Sequence, residues 1–472
     1  MNETLFEFRV CFTRKAAFKW FVVIIIGFMV GHEHTGVTSL IRELDLCSNS
    51  YESILHFFHA ASWEIEAIRA KWISLVKTHA PIIRMEGYNI LVGDGVKQPK
   101  EAKKMPGVKK QHQESENVSK AEYIFGHLFG AVGVLAGNIE KMFCIPLSAT
   151  IQDGVKVIRE WAKSESAKLS HVEQVVRLAG ECTKELWKSI VVLDRLFLSV
   201  KALDVCKKYI NEAGEWMLHI VTKAKNSAVA YEEPLKYSGR GRRRKKGKEV
   251  KLLGLFDSKA NEFQQLQVKI YNDIKTVSCM CIDLLWGKGL YQKLRFVLVI
   301  MDGRKNILVS TNLALTAMQI IQLYSWRFKI EVQFKELKHT LGGFAYHFWS
   351  KHMPKLVRFA PAKTNLLEGI CDPHVKELII STLKAIEGYM MFACIALGML
   401  QIVALKFGMK IKTSGCLWLR VKTNDIPTES TMIRYLSKNI FCIIEKYKNS
   451  GIYRIIRNKQ DHEALADYPE AS

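Results

Sequence analysis

Tyr324-Ser325-Trp326-Arg327-Phe328-Lys329-Ile330-Glu331-Val332-Gln333-Phe334-Lys335-Glu336-Leu337-Lys338 carries the most specific pattern in the chain. It lies in a run from about Thr316 to Thr340 with apolar residues at three and four spacing, which predicts a long helix stopped by Gly342-Gly343. At about 100° per residue, Tyr324, Arg327, Glu331 and Lys338 fall within an arc of about 60° and form one polar stripe. Leu323, Trp326, Ile330, Phe334, Leu337 and Leu341 form an apolar stripe about 90° away, so the helix should bury that side. Glu331 is then expected at the rim of a cleft. A solvated helix face would carry the same residues, so the stripe needs partners before it means chemistry.

Candidate partners lie upstream. The β-type runs Tyr88 to Val92, Phe143 to Leu147, Ile190 to Leu193 and Trp216 to Val221 read as strands, while Asp153 to Gly180 has helical periodicity. Strands first in a meander and then alternating with helices predict a mixed sheet covered on both faces. Asp94 follows the first run in Gly93-Asp94-Gly95, and Asp194 ends the third in Asp194-Arg195. Carboxylates at the ends of buried strands are held by rigid backbone and can converge with one from a packed helix. Either aspartate alone reads equally as a turn or cap residue. With Glu331 they make a set of three candidate acids.

Outside this core, the start of the chain to about Ala80 reads as helices closed by Pro81, a small helical domain. After Ala224 the sequence is strand-rich and contains Arg240-Gly241-Arg242-Arg243-Arg244-Lys245-Lys246-Gly247-Lys248, a solvated loop that can also serve as a phosphate-contacting arm. Strands near Arg295 to Ile300 and Ile307 to Ser310 lead into the helix that carries Glu331. The runs divide the chain into 1–80, helical; 81–222, sheet with helices; 223–294, β-rich; 295–350, strands and the Glu331 helix; and 351–472, helical.

At 472 residues and 49% hydrophobic content the chain can bury large cores. Lys plus Arg is 69 against 46 Asp plus Glu, a net +23, which calls for a polyanion or an anionic lipid surface, with nucleic acid the commoner answer. Eleven cysteines without a CxxC pair argue against a disulfide framework and a structural zinc site, and a reducing cytoplasm is expected. Cys279 and Cys281 read as alternate faces of a strand. The apolar stretch Trp20 to Val30 is too short to span a bilayer and reads as a buried helix. Gly388 to Leu405 is long enough to span, but Gln401 interrupts it and charged helical sequence precedes it, so no membrane is expected. His127 reads as a satisfied core histidine, and His32 and His34 lack ligand partners at metal spacing.

The arrangement Y-(2)-R-(3)-E-(6)-K resembles the signature of the fourth family of bacterial insertion-sequence transposases, the cut-and-paste DDE enzymes, at all four positions. Gly93-Asp94-Gly95 with Lys97, Val192-Leu193-Asp194-Arg195 with Phe197, and Thr222-Lys223-Ala224-Lys225 agree with it, so the likeness covers roughly Tyr88 to Ser350. It implies an α/β fold: a ribonuclease H-like mixed-sheet catalytic core, its first part at 81–222 and its completion at 295–350, with a β-rich insertion at 223–294, a helical DNA-binding N-terminal domain at 1–80 and a helical C-terminal region at 351–472. Glu331 stands 137 positions after Asp194, which leaves room for that insertion. It also implies two Mg²⁺ or Mn²⁺ ions held by Asp94, Asp194 and Glu331, since such ions take hard oxygen ligands and activate the attacking and leaving oxygens of a phosphodiester. Tyr324, Arg327 and Lys338 are implied to hold phosphates near the transposon end. Trp286 is the candidate platform for a flipped base, an ordinary packed tryptophan being the alternative. The partners implied are double-stranded DNA, as terminal inverted repeats and target, and a second copy of the chain on that DNA. The competing reading is a transposase-derived DNA-binding protein without catalysis.

Overall fold

Runs of Val, Ile and Leu that are apolar on both faces belong inside a sheet, and those runs are the central strands found. The computed structural model describes residues 1–31, 36–113, 121–235, 243–270, 273–357, 367–408 and 426–460. The strands are β1 (Arg84–Met85), β2 (Tyr88–Pro99), β3 (Lys109–His112), β4 (Tyr123–Gly137), β5 (Met142–Ile151), β6 (Ser189–Val192), β7 (Leu218–Lys223), β8 (Val229–Tyr231), β9 (Glu249–Lys251), β10 (Gln264–Ile270), β11 (Asp273–Trp286), β12 (Gln292–Met301) and β13 (Arg304–Ser310). The helices are α1 (Asn2–Phe6), α2 (Lys15–Val30), α3 (Val37–Glu43), α4 (Ser50–His59), α5 (Ile65–His79), α6 (Lys156–Trp161), α7 (His171–Leu186), α8 (Val200–Cys206), α9 (Leu255–Ser258), α10 (Ala317–Ser325), α11 (Lys329–His339), α12 (Pro373–Phe407), α13 (Glu429–Lys446) and α14 (Gly451–Arg457).

One mixed sheet runs β3-β4-β2-β6-β7-β13-β12-β11-β8-β9, with β5 on β4, β1 on β2 and β10 on β11. The order β5-β4-β2 is an antiparallel meander, whereas β2-β6-β7 are parallel. Parallel neighbours need crossovers, and α6 with α7, then α8, supply them. The β-rich stretch does not stand apart from the core sheet: β11 pairs with β12 from Ser278↔Ile300 to Trp286↔Gln292. Cys279 on β11 is buried and Cys281 exposed, yet side chains two apart share a face of a strand, so the two do not stand on alternate faces and their difference lies in what covers each one; the described cysteines are unpaired.

Each face of the sheet buries its own core. On one side Leu91, Val191 and Leu193 pack with α7 and with the helical layer of α2, α4, α5 and α12. On the other, Ile90, Val92, Ile190, Val192 and Val221 pack beneath Leu323, Trp326 and Ile330 of the signature stretch. The helical start shares its core with the helical end. Phe21, Phe57, Phe58 and Trp63 all make ring contacts with Phe392 of α12. Residues Phe21 to Val30 are buried without a break, so α2 is a core helix. The apolar window of α12 is long enough to cross a membrane, yet 78% of it is buried within the protein, which is the environment of a core helix. His127 is buried, with Nε2 2.8 Å from the Pro106 carbonyl and Nδ1 2.7 Å from the Tyr346 hydroxyl. A carbonyl only accepts, so Nε2 carries the proton and the tyrosine donates to Nδ1. His32 and His34 lie outside the described residues.

Candidate active site

The two aspartates are set level by strand register. Pairing between β2 and β6 runs from Asn89↔Ser189 to Val92↔Val192, and between β6 and β7 from Ser189↔Leu218 to Val192↔Val221. Two residues beyond each of those valines come Asp94, Asp194 and Lys223. Side chains two apart share a face, and parallel neighbours lie about 4.8 Å apart, so these three groups stand side by side at the strand ends. Their face is the one on which Val92, Val192 and Val221 meet Trp326 and Ile330.

The signature stretch lies close on this face because β4 leaves room. A Cβ on Gly133 would stand 2.3 Å from Gln333 Oε1 and 2.5 Å from Cys144 Sγ, so any larger residue there would have to displace the Gln333 amide and the Cys144 thiol. Thr316 starts α10 with a capping box to Gln319, and Gly342, at φ +65°, follows α11. The expected single helix is in fact two. A 3-10 turn at Trp326–Phe328 joins α10 to α11, packing three residues per turn where an α-helix packs 3.6. The uniform stripe drawn at 100° per residue is therefore broken at Arg327.

Arg327 is the centre of the site. Its Nη1 lies 3.0 Å from Asp94 Oδ2 and its Nη2 2.8 Å from Glu331 Oε1. The Asp94 Oδ1 accepts the Gly95 N–H at 2.7 Å. The Arg327–Asp94 half is sheltered, with side chains 21% and 22% exposed, whereas Glu331 is 59% exposed. Burial pushes the Asp94 carboxyl up to about 6, and the nearby Asp194 and Glu331 charges add to the rise against the Gly95 N–H and Arg327. Burial likewise raises the Tyr324 hydroxyl to about 12, with Asp194 adding to it and Arg327 opposing. Burial is thus the main influence on Asp94, with the charges of Asp194 and Glu331 as the smaller additions. Among the described residues no three His, Cys, Asp or Glu side chains stand grouped so that they could hold a metal ion, and the Arg327 guanidinium lies between Asp94 and Glu331. In donor chemistry the set fits a divalent ion, since all three groups offer hard carboxylate oxygens.

The other expected site residues are more scattered. Lys338 is exposed about 10 Å further along α11 and makes no ion pair with the acids. Trp286 ends β11 opposite Gln292, half-buried against the main core. Arg243, Arg244 and Lys245 are exposed in the connection from β8 to β9, and Lys246 sits 3.9 Å over the Tyr231 ring. Arg242 lies outside the described residues. Lys223 enters the sequence reading only within Thr222-Lys223-Ala224-Lys225, with no role of its own. Its ammonium bonds Asn306 Oδ1 at 2.6 Å, and burial, with Arg195 and Arg327 adding, lowers its pKa against the pull of Asp194. The signal was its place right after a buried strand, but only the β6–β7 register brings it level with the aspartates.

The family described as DDE superfamily endonuclease matches residues 7–279, more than half of the chain, a span that contains Asp94 and Asp194 and ends before Glu331. A comparison with curated proteins finds none that matches.

Proposed function

The chain belongs to the DDE superfamily endonuclease family, and we propose that it is a DNA transposase that cuts transposon ends and joins them to target DNA. The observation that carries this reading is the meeting of Asp94 and Glu331 on one arginine beside Asp194, at the ends of two parallel strands. The order β5-β4-β2-β6-β7, with the first three antiparallel and the last two pairs parallel, supports a ribonuclease H-like core. Asp94, Asp194 and Glu331 would hold two Mg²⁺ or Mn²⁺ ions, which supply an activated attacking oxygen and a stabilised leaving oxygen in an in-line displacement. The chain's own residues bind and orient the substrate. Arg327 offers a planar fork to phosphate oxygens, Tyr324 and Lys338 add a hydroxyl and a point charge on the same stretch, and Lys223 adds a cation at the strand ends. On this reading the helical start and the exposed Arg243, Arg244 and Lys245 grip the DNA backbone, and two copies synapse two ends. Trp286 remains the proposed base platform.

The test is cleavage of a plasmid carrying the element's own ends, with Mg²⁺ or Mn²⁺, beside a gel shift. Glu331→Gln keeps size and helix propensity but removes a charge, so cleavage should fall about 10³-fold or more while end binding persists. Undiminished cleavage by this variant would remove Glu331 from the acid set. No cleavage by the unmodified protein on verified ends would favour a DNA-binding protein without catalysis.

A further inference from the structure

We infer that Arg327 is the built-in counter-ion of the acid cluster, and that a DNA phosphate must take over its guanidinium before Asp94 and Glu331 can hold a divalent cation. This rests on the metal-dependent reading above and deepens it: end binding and metal loading become one coupled event. Both nitrogens of the fork are engaged, one on Asp94 Oδ2 at 3.0 Å and one on Glu331 Oε1 at 2.8 Å, while the remaining Asp94 oxygen holds the Gly95 N–H at 2.7 Å. A cation that binds both acids while the guanidinium bridges them sits against a like charge, which weakens its binding. The Asp194 carboxylate, by contrast, makes no ion pair among the described residues. One acid is open, and two are closed by the same arginine.

A phosphate is suited to release them. It presents two oxygens with much the same spacing as a carboxylate pair, so the fork can pass from acids to phosphate without losing its two charge-assisted hydrogen bonds. No covalent bond changes and no proton moves in the exchange. The halves should open in order. Glu331 is 59% exposed, so its bond to Arg327 is screened and weak, whereas the Arg327–Asp94 bond is sheltered. The consequence is reciprocal: whatever factor duplex DNA adds to metal affinity, metal must add to duplex affinity. A chain regulated this way stays poorly loaded with metal until it is on DNA, which guards against indiscriminate cutting.

The experiment measures Mn²⁺ binding by the full chain, from the electron paramagnetic resonance of the free ion, with and without a short 5′-phosphorylated duplex whose own Mn²⁺ uptake is subtracted. Arg327→Ala and Arg327→Gln should bind Mn²⁺ about tenfold or more tighter than the unmodified chain without DNA. The duplex should tighten Mn²⁺ binding by the unmodified chain and leave both variants unchanged. Circular dichroism checks that the variants fold, and if neither does, the unmodified chain with and without duplex decides alone. Equal Mn²⁺ affinity in all three proteins, or no effect of duplex on the unmodified chain, overturns the inference and leaves the metal-dependent reading standing. No Mn²⁺ binding by any of them overturns that reading, and the inference with it.

Discussion

Two arginines of this chain bridge buried ground in opposite ways. Arg159, on α6, donates to the Ile151 carbonyl at 2.8 Å and to Glu387 of α12 at 2.7 Å, and the same Glu387 oxygen accepts the Ile151 N–H at 2.8 Å. Its side chain is 15% exposed and that of Glu387 9%, so the arrangement ties a helix to a strand edge and is more sheltered than the bridge at Arg327, although both residues line a small cleft with Thr150 and Gln174. Arg327 also joins elements, but its partners are two acids at a cleft, one of them well exposed. The first arginine satisfies a charge the core needs. On the proposed reading, the second occupies ground that a DNA phosphate can claim. Burial of the whole ring of partners, rather than ion pairing as such, separates a structural bridge from a functional one.

The largest effect should come from removing each arginine in turn. Arg159→Ala leaves Glu387 charged inside the protein, a loss that costs about 3–5 kcal/mol. Arg327→Ala leaves acids that can regain water at the cleft, so its cost should be lower by about 2 kcal/mol or more. Urea denaturation of both variants measures the gap, and equal losses would break the comparison.

Much of this contrast was written in the sequence, though unevenly. The apolar runs around Ile90 and Ile190 announced buried strands, and Asp94 and Asp194 could be placed at their ends. What could not be read is register, since nothing local to either strand says that Val92 lies beside Val192, and that pairing alone brings the acids level. The 3-10 turn at Trp326–Phe328 was hidden for a similar reason. No glycine or proline marks it, and Leu323, Trp326, Ile330 and Phe334 keep helical spacing through it. The helical start looked separable because its helices are apolar enough to form a core of their own. Only the ring contacts to Phe392, more than 300 residues away in sequence, show that this core is shared.

Acid sharpens the comparison from the structural side. His127 is neutral, and burial pushes its pKa down to about 4, against the Pro106 carbonyl that would favour the charged form. The unfolded imidazole titrates near 6.5, so between those values the unfolded chain binds the proton and the folded one does not. The stabilisation is complete above about pH 6.5 and is lost as pH falls toward 4, by as much as about 3 kcal/mol. The melting temperature should drop over that range by more in the unmodified chain than in His127→Gln, where no imidazole titrates. Parallel curves would show that this site contributes nothing to acid unfolding.

The smallest expected effect lies beside the functional bridge, at Gln333. It is 1% exposed, and neither its Oε1 nor its Nε2 has a hydrogen-bond partner in the protein. Two residues after Glu331 on α11, it faces Gly133 and Cys144, where a side chain of this length fits but an amide finds nothing to bond. Gln333→Met keeps the length and removes the two unsatisfied groups, so it should stabilise the fold by about 1–2 kcal/mol in urea denaturation. The matching change at a satisfied buried amide, Gln174→Met, should do the reverse, because Gln174 donates to the Gln152 and Leu169 carbonyls at 3.2 and 3.0 Å. If Gln333→Met gains stability while cleavage falls, the orphaned amide is part of how α11 is held for chemistry, a penalty of the same kind as the unpartnered Arg159 Nε and Gln152 Oε1 on the other side of the sheet. A loss of stability would show instead that a buried water satisfies the amide.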